Sequence, residues 1–159
     1  MSTSVLFVCM GNICRSPSAE AIFKDRVEKA SLTGQFLIDS AGTIGYHEGS
    51  RADPRMRQTA SRRGYNLESR ARQVRPADFQ KFDHIIAMDE ANLADLNDLR
   101  QRISGKARLA LICSYCRHHQ EGEVPDPYYG GPSGFDQVLD LLEDACDGLL
   151  DALTAPGKT

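Results

Sequence analysis

Residues 5–23 read Val5-Leu6-Phe7-Val8-Cys9-Met10-Gly11-Asn12-Ile13-Cys14-Arg15-Ser16-Pro17-Ser18-Ala19-Glu20-Ala21-Ile22-Phe23. The opening Val5-Leu6-Phe7-Val8 is a continuous apolar run, the pattern of a strand buried on both faces. Ser16-Pro17 reads as a helix start, a capping hydroxyl followed by proline at the first helical position. Ala19, Ile22, Phe23, Val27 and Ala30 then recur at helical spacing and give that helix an apolar face for the sheet. Residues 10–15 are thus a tight loop from the carboxyl end of a buried strand into a helix N-terminus. Successive backbone N–H groups and the positive end of the helix dipole face one concavity there. Such a concavity binds anions.

The residue types in the loop narrow this to chemistry. Cys9 and Arg15 stand five residues apart. A sulfur ringed by N–H donors and opposite an arginine is expected as a thiolate, the nucleophilic form. Arg15 can grip two phosphoryl oxygens while Cys9 lies in line with the phosphorus, and the Ser16 hydroxyl can donate to the sulfur. Gly11 and Asn12 tolerate the left-handed backbone a tight loop needs. The competing reading makes Cys9 a buried strand-end cysteine with a packing role. Cys-x5-Arg recurs by chance, so the weight rests on its position between a buried strand and a Ser-Pro helix start.

Working outward, 159 residues at 41% hydrophobic suit a single domain over residues 1–159. Residues 154–159, which include Pro156 and Gly157, are expected as a frayed tail. No apolar run approaches membrane-spanning length, and the first nine residues lack the basic start of a signal peptide. Five cysteines, an odd number, point to the reducing cytoplasm rather than to a disulfide framework. The net charge of −3 carries no nucleic-acid signal. Its distribution is uneven: residues 51–75 hold eight arginines against Asp53 and Glu68, and residues 136–151 hold six acids and no base. The arginines read as a solvated face first, and second as a rim that attracts acidic phosphopeptides.

Phe36-Leu37-Ile38 is a second strand, and Asp39-Ser40-Ala41-Gly42-Thr43 after it a polar loop. In a parallel sheet that loop lies near the mouth of the first one; an ordinary turn is the lesser reading. Tyr46 and His47 follow between glycines, with His47 assigned a structural role. Asp53-Pro54-Arg55 opens a helix that Gly64 closes. Residues 76–82 form a short helical turn, and residues 84–88 a third strand. Asp89 caps the helix over residues 90–103, where Leu93, Leu96 and Leu99 recur. A fourth strand covers residues 107–112. The cluster Cys113-Ser114-Tyr115-Cys116-Arg117-His118-His119 has the composition of a metal or redox site, but it is too compact for easy tetrahedral closure. Ordinary loop cysteines are the default there. Prolines on both sides of Asp126 stiffen its loop, and by its residues alone Asp126-Pro127-Tyr128-Tyr129 reads as a turn. Residues 135–153 form the last helix, with Phe135, Val138, Leu142, Ala145, Leu149 and Leu153 on one face and Cys146 packed. Strands alternating with helices make a parallel α/β sheet.

The loop and four further stretches, Asp39-Ser40-Ala41-Gly42-Thr43, Tyr46-His47-x-Gly49, Met88-Asp89 and Asp126-Pro127-Tyr128-Tyr129-Gly130, together resemble the low-molecular-weight protein tyrosine phosphatases over almost the whole chain. The resemblance implies a four-stranded parallel sheet in flavodoxin-like order 2-1-3-4 with helices on both faces. It implies hydrolysis of phosphotyrosine and small aryl phosphates through a cysteinyl-phosphate, with Cys9 as nucleophile, Arg15 on the phosphoryl oxygens and Asp126 as acid, then base. Met10, Gly11, Asn12, Ile13, Cys14, Arg15 and Ser16 would bind phosphate, with Ser40 and Asp89 supporting them from behind. Ile13, Tyr46, Tyr128 and Tyr129 would wall the substrate pocket. Cys14 would close a reversible disulfide with Cys9 under peroxide.

Neither metal nor cofactor is implied, since Arg15 and the loop supply the positive charge. The partner would be a tyrosine-phosphorylated protein, a bacterial tyrosine kinase being one candidate; nucleic acid and membrane are not implied. A monomer or weak dimer is expected. Ser69 departs from the family, which often has a histidine there holding the phosphate loop. A branch resembling phosphoarginine phosphatases has threonine where Ile13 stands, so Ile13 favours tyrosine. Two other classes remain. A thioredoxin-coupled arsenate reductase would need relay cysteines after the third strand, and residues 90–101 hold none. A silent phosphate-binding module would be expected to lack Cys9 or Asp126.

Overall fold

A strand with water on neither face needs a partner along each edge and cover above and below. In the computed structural model, which describes residues 2–128 and 130–155, β1 (Thr3–Cys9) has all four. It pairs in parallel with β2 (Phe36–Gly42) on one edge and with β3 (His84–Ala87) on the other. β4 (Arg108–Leu111) pairs in parallel with β3, so the order is β2-β1-β3-β4, as expected.

Alternate residues of β1 serve opposite faces. Val5, Phe7 and Cys9 pack with Ile22 and Phe23 of α1 (Arg15–Lys29), Met56 of α2 (Pro54–Arg62), and Val138 and Leu142 of α5 (Ser133–Thr154). Leu6 and Val8 pack with Phe79 of the short α3 (Asp78–Lys81), Phe82 and Leu96 of α4 (Glu90–Arg100). Helices therefore cover both faces. The chain's crossovers diverge on either side of β1, which puts its carboxyl end at the switch point where α/β sheets form their crevice. No helix among the described residues is long and apolar enough to cross a membrane.

Several boundaries differ from the sequence reading. α1 begins at Arg15 with Cys14 at the N-cap and no side-chain cap bond, so Pro17 is its third residue rather than its first. Proline is tolerated there because first-turn N–H groups have no intrahelical acceptor, and the Ser16 hydroxyl is used elsewhere. Ala30 lies beyond the helix end and is exposed. Asp39-Ser40-Ala41-Gly42 is strand, not loop, because the ladder with β1 runs on to Cys9 opposite Gly42. Gly42 must be glycine: a Cβ there would lie 2.6 Å from the Met10 carbonyl oxygen. α4 stops at Arg100 and α5 starts at Ser133. The α2 signals were legible: Asp53 accepts from the N–H groups of Arg55 and Met56, and Gly64 takes φ 87°.

Candidate active site

Residues 10–14 leave β1 and turn back over its end. Asn12 takes φ 58°, the left-handed conformation that asparagine adopts more readily than most residues. Gly11 serves a different need: a Cβ there would stand 3.0 Å from the His47 ring. The turn sets the Asn12 N–H 3.2 Å from Cys9 Sγ, and Ser16 Oγ lies 3.0 Å from the same sulfur.

The Asn12 side chain fixes this turn. Its Nδ2 donates to Ser16 Oγ at 2.7 Å and to Ser40 Oγ at 3.0 Å, and its Oδ1 accepts the Arg72 backbone N–H at 3.0 Å. Ser40 in turn donates to Glu20 Oε1 at 2.6 Å, while Glu20 Oε2 pairs with Lys24. Asn12, Ser16, Ser40 and Glu20 are all buried, and in a dry site such satisfied bonds hold geometry firmly. Beside Ser69, at the family's histidine position, the strut to the loop comes from the main chain of Arg72.

Arg15 is buried to 2% exposure. Its Nη1 donates to Asp89 Oδ2 at 2.6 Å and to the Val124 carbonyl at 3.0 Å, and its Nη2 stands 3.5 Å from Asp126 Oδ2. Burial opposes its charge, but Cys9, Asp89 and Asp126 outweigh it and raise its pKa above the ordinary value. Asp89 Oδ1 meanwhile caps α4 by accepting the Asn92 N–H at 2.8 Å. The loop that carries Asp126 is tied to the end of β3 through Val124, whose N–H donates to the Met88 carbonyl at 2.9 Å. Asp126 Oδ1 accepts the Tyr128 N–H at 3.0 Å.

Cys9, Arg15 and Asp126 line one open cleft with Met10, Gly11, Ile13 and Cys14 of the loop; Ile44, His47 and Tyr128 also line it. Tyr46 stands outside the lining, 84% exposed, with its ring edge-on to His47 at 4.8 Å. His47 lines the cleft instead, its ring 6.3 Å from that of Tyr128. Tyr129 lies outside the described residues. Burial first, then Asp53 and Cys9, push the Cys14 pKa far above its ordinary value, which keeps it a neutral thiol.

The Cys113–His119 cluster sits apart from the cleft. Asp144 of α5 accepts the backbone N–H groups of Arg117, His118 and His119 and contacts His119 Nδ1 at 2.8 Å. Cys116 Sγ donates to the Leu141 carbonyl at 3.7 Å. Among the described residues no three His, Cys, Asp or Glu side chains are grouped to hold a metal. Part of the arginine excess is paired within the chain, Arg63 with Asp136, Asp140 and Glu143 and Arg72 with Asp39 and Asp78.

Glu20, Ile44 and the Arg72 main chain were missed by sequence reasoning. Glu20 had a signal, since it follows Ser16 by four residues on the same helix face. A backbone donor such as Arg72 N–H leaves no mark in side-chain chemistry.

Comparison with known proteins agrees with the geometry. The family model described as low molecular weight phosphotyrosine protein phosphatase matches residues 4–158. A low molecular weight protein-tyrosine-phosphatase of Streptomyces coelicolor is 44% identical, covering 96% of this chain and 94% of that protein. The crystal structure of a protein tyrosine phosphatase from Entamoeba histolytica superposes with TM-score 0.86 at 46% identity, covering 96% of this chain and 97% of that one. The structure of a Drosophila arginine phosphatase superposes with TM-score 0.91 at 32% identity, covering 96% and 98%.

Proposed function

The chain belongs to the low molecular weight phosphotyrosine protein phosphatase family, enzymes that hydrolyse phosphotyrosine, and from that premise we propose which of its residues carry the reaction. Cys9 Sγ attacks phosphorus as the bond from phosphorus to the aryl oxygen breaks, and Asp126 gives its proton to that oxygen so that a phenol leaves. Arg15 and the loop N–H groups hold the three equatorial oxygens. Water then attacks the cysteinyl-phosphate, Asp126 takes the water's proton, and the S–P bond breaks to free phosphate and the Cys9 thiolate. The Ser16 hydroxyl, 3.0 Å from Sγ, stabilises the departing sulfur. The supporting observation is convergence: nucleophile, guanidinium and carboxylate line one cleft, with Arg15 Nη2 3.5 Å from Asp126 Oδ2.

Ile13 and Tyr128 supply apolar walls for an aryl ester. The natural substrate is then a tyrosine-phosphorylated protein, a bacterial tyrosine kinase being one candidate, met by a monomer or weak dimer in the cytoplasm. Five free cysteines suit that compartment. Cys14, buried in the same cleft as Cys9, makes the enzyme redox-regulated. The two thiols lose two protons and two electrons to form a disulfide while peroxide is reduced to water.

The test is hydrolysis of p-nitrophenyl phosphate against pH, with chelator present, for the wild type and Asp126→Asn, then of a phosphotyrosine peptide against its phosphoarginine counterpart. Chelator-insensitive turnover that falls about 100-fold in the Asn variant, with the phosphotyrosine peptide preferred, supports the assignment. An unaffected Asn variant refutes it.

A further inference from the structure

The acid loop is gripped at a second place, by a side chain that does not line the cleft. Arg55 is the second residue of α2, and its fork is fixed on the N-cap carboxylate: Nε lies 3.1 Å from Asp53 Oδ1 and Nη2 2.9 Å from Asp53 Oδ2. The same Nη2 donates to the Tyr128 carbonyl at 3.2 Å. The guanidinium also lies over two rings, 5.4 Å from the Tyr128 centroid and 4.9 Å from that of Phe135 at the start of α5. The Asp53 carboxyl is itself buried, 6% exposed against 50% for the Arg55 side chain, so the carboxylate is the fixed end of the anchor.

Tyr128 is thereby held from both sides, its N–H by Asp126 Oδ1 at 3.0 Å and its carbonyl by Arg55. The loop needs such a hold. Upstream it is tied to the sheet by the Val124–Met88 bond, but downstream Gly130-Gly131 follow at once. Glycines carry little stiffness, and the Gly130 N–H closes only a local turn on the Pro127 carbonyl at 3.1 Å, which does not by itself fix the loop against α2. An arginine that is bidentate on its own carboxylate loses little freedom in making one more bond. We propose that Arg55 is a positioning residue for the general acid, acting through Tyr128 to set where Asp126 stands relative to Arg15 and the leaving oxygen. The inference rests on Asp126 being that acid.

A misplaced acid has a distinct signature. Protonation matters most when the leaving phenolate is basic, so poor leaving groups suffer and good ones hardly do. The experiment measures kcat/KM, which reports the steps through P–O cleavage, for phenyl, 4-nitrophenyl and 2,4-dinitrophenyl phosphates. The enzymes are the wild type, Arg55→Met, Arg55→Lys, Asp126→Asn and the Arg55→Met/Asp126→Asn double variant. In Arg55→Met, phenyl phosphate is expected to lose about tenfold and the dinitrophenyl ester less than about twofold. Arg55→Lys, which keeps a charge near Asp53 and one donor for the Tyr128 carbonyl, recovers part of the loss. In the Asp126→Asn background Arg55→Met adds less than about twofold. Equal fractional losses across the three esters, or full additivity in the double variant, would overturn the proposal and make Arg55 a stabilising or substrate-contacting residue. If Asp126→Asn alone left the leaving-group dependence unchanged, the acid assignment itself would fall, and this inference with it.

Discussion

Asp89→Asn and Asp89→Ala separate two jobs that one carboxylate performs. Oδ2 holds Arg15 Nη1 at 2.6 Å, and Oδ1 caps α4 at the Asn92 N–H, 2.8 Å away. Asparagine ranks with aspartate at the N-cap, so the Asn variant keeps the cap but withdraws the charge from a guanidinium only 2% exposed. Losing a charged hydrogen bond costs about 1.5–3 kcal/mol. The Asp89 side chain is itself 21% exposed, which favours the lower half, about 2 kcal/mol. The Ala variant also loses the cap, about 1 kcal/mol more. Urea unfolding should therefore rank wild type, Asn, Ala in steps of about 2 and 1 kcal/mol. Activity should follow a different pattern. Arg15 keeps its bond to the Val124 carbonyl at 3.0 Å but loses the partner that fixes its plane, and a misplacement of about 1 Å costs roughly 100-fold. Both variants should thus lose about 10- to 100-fold in kcat/KM for p-nitrophenyl phosphate, to the same extent, because the cap plays no part in the cleft. Equal stabilities for Asn and Ala, or an Asn variant within about twofold of wild-type activity, would refute the reasoning.

Ser16→Ala removes the hydroxyl beside Cys9 Sγ, so dephosphorylation of the enzyme should slow about tenfold and a burst of nitrophenol should appear in stopped flow; unchanged kcat without a burst contradicts this. Asp144→Asn should cost about 2–3 kcal/mol in urea unfolding, since three backbone N–H groups lose a charged acceptor. The pH dependence has a fixed sign. Burial disfavours the Asp144 charge, but the N–H donors of residues 117–119 and His119 outweigh it and hold the carboxyl well below its ordinary range. Its stabilisation is full above about pH 4 and fades as pH falls. His119, raised by its hydrogen bond to Asp144, contributes below about pH 6.5 and loses that contribution as pH rises through its folded value. The gap between wild type and variant should therefore be widest at about pH 5–6.5; a gap that widens toward pH 3 would contradict the assignment.

The sequence made the strand–loop–helix legible because its signals are local: an apolar run, a Cys-x5-Arg turn and an apolar helix face within 19 residues. The same locality misled at Ser16, where a hydroxyl before proline resembles a cap but bonds Asn12 and the Cys9 sulfur. What braces the loop is non-local: Ser40 and Arg72 reach Asn12 from 28 and 60 residues away. No periodicity encodes such a bond. Tyr46 and His47 show a further limit. In a loop between two glycines neither helical nor strand period says which of two adjacent rings turns inward, and the choice falls to packing over Gly11. The sequence alone shows β2 too short because Asp39, Ser40 and Gly42 are poor strand formers; the ladder with β1 overrides them.

The catalytic groups hold their spacing because they are strung on backbone bonds rather than on long side chains. The Met88 N–H donates to the Val8 carbonyl at 3.1 Å, next to Cys9, and the Val124 N–H donates to the Met88 carbonyl at 2.9 Å. Two successive main-chain bonds thus register the strand that carries the sulfur against the loop that carries Asp126. The Val124 carbonyl, on the other side of the same residue, holds Arg15 Nη1. Guanidinium and acid are therefore set from one residue, with only Pro125 between Val124 and Asp126, and proline fixes its own φ. With Nη1 taken up by Asp89 and Val124, the guanidinium plane is fixed from behind, and its Nη2 edge is the one turned toward Asp126 and the cleft. A small displacement of Val124 would carry clamp and acid together and leave their separation intact, whereas one at Tyr128 would move the acid alone. The first kind should leave the leaving-group dependence of kcat/KM unchanged, and the second should steepen it.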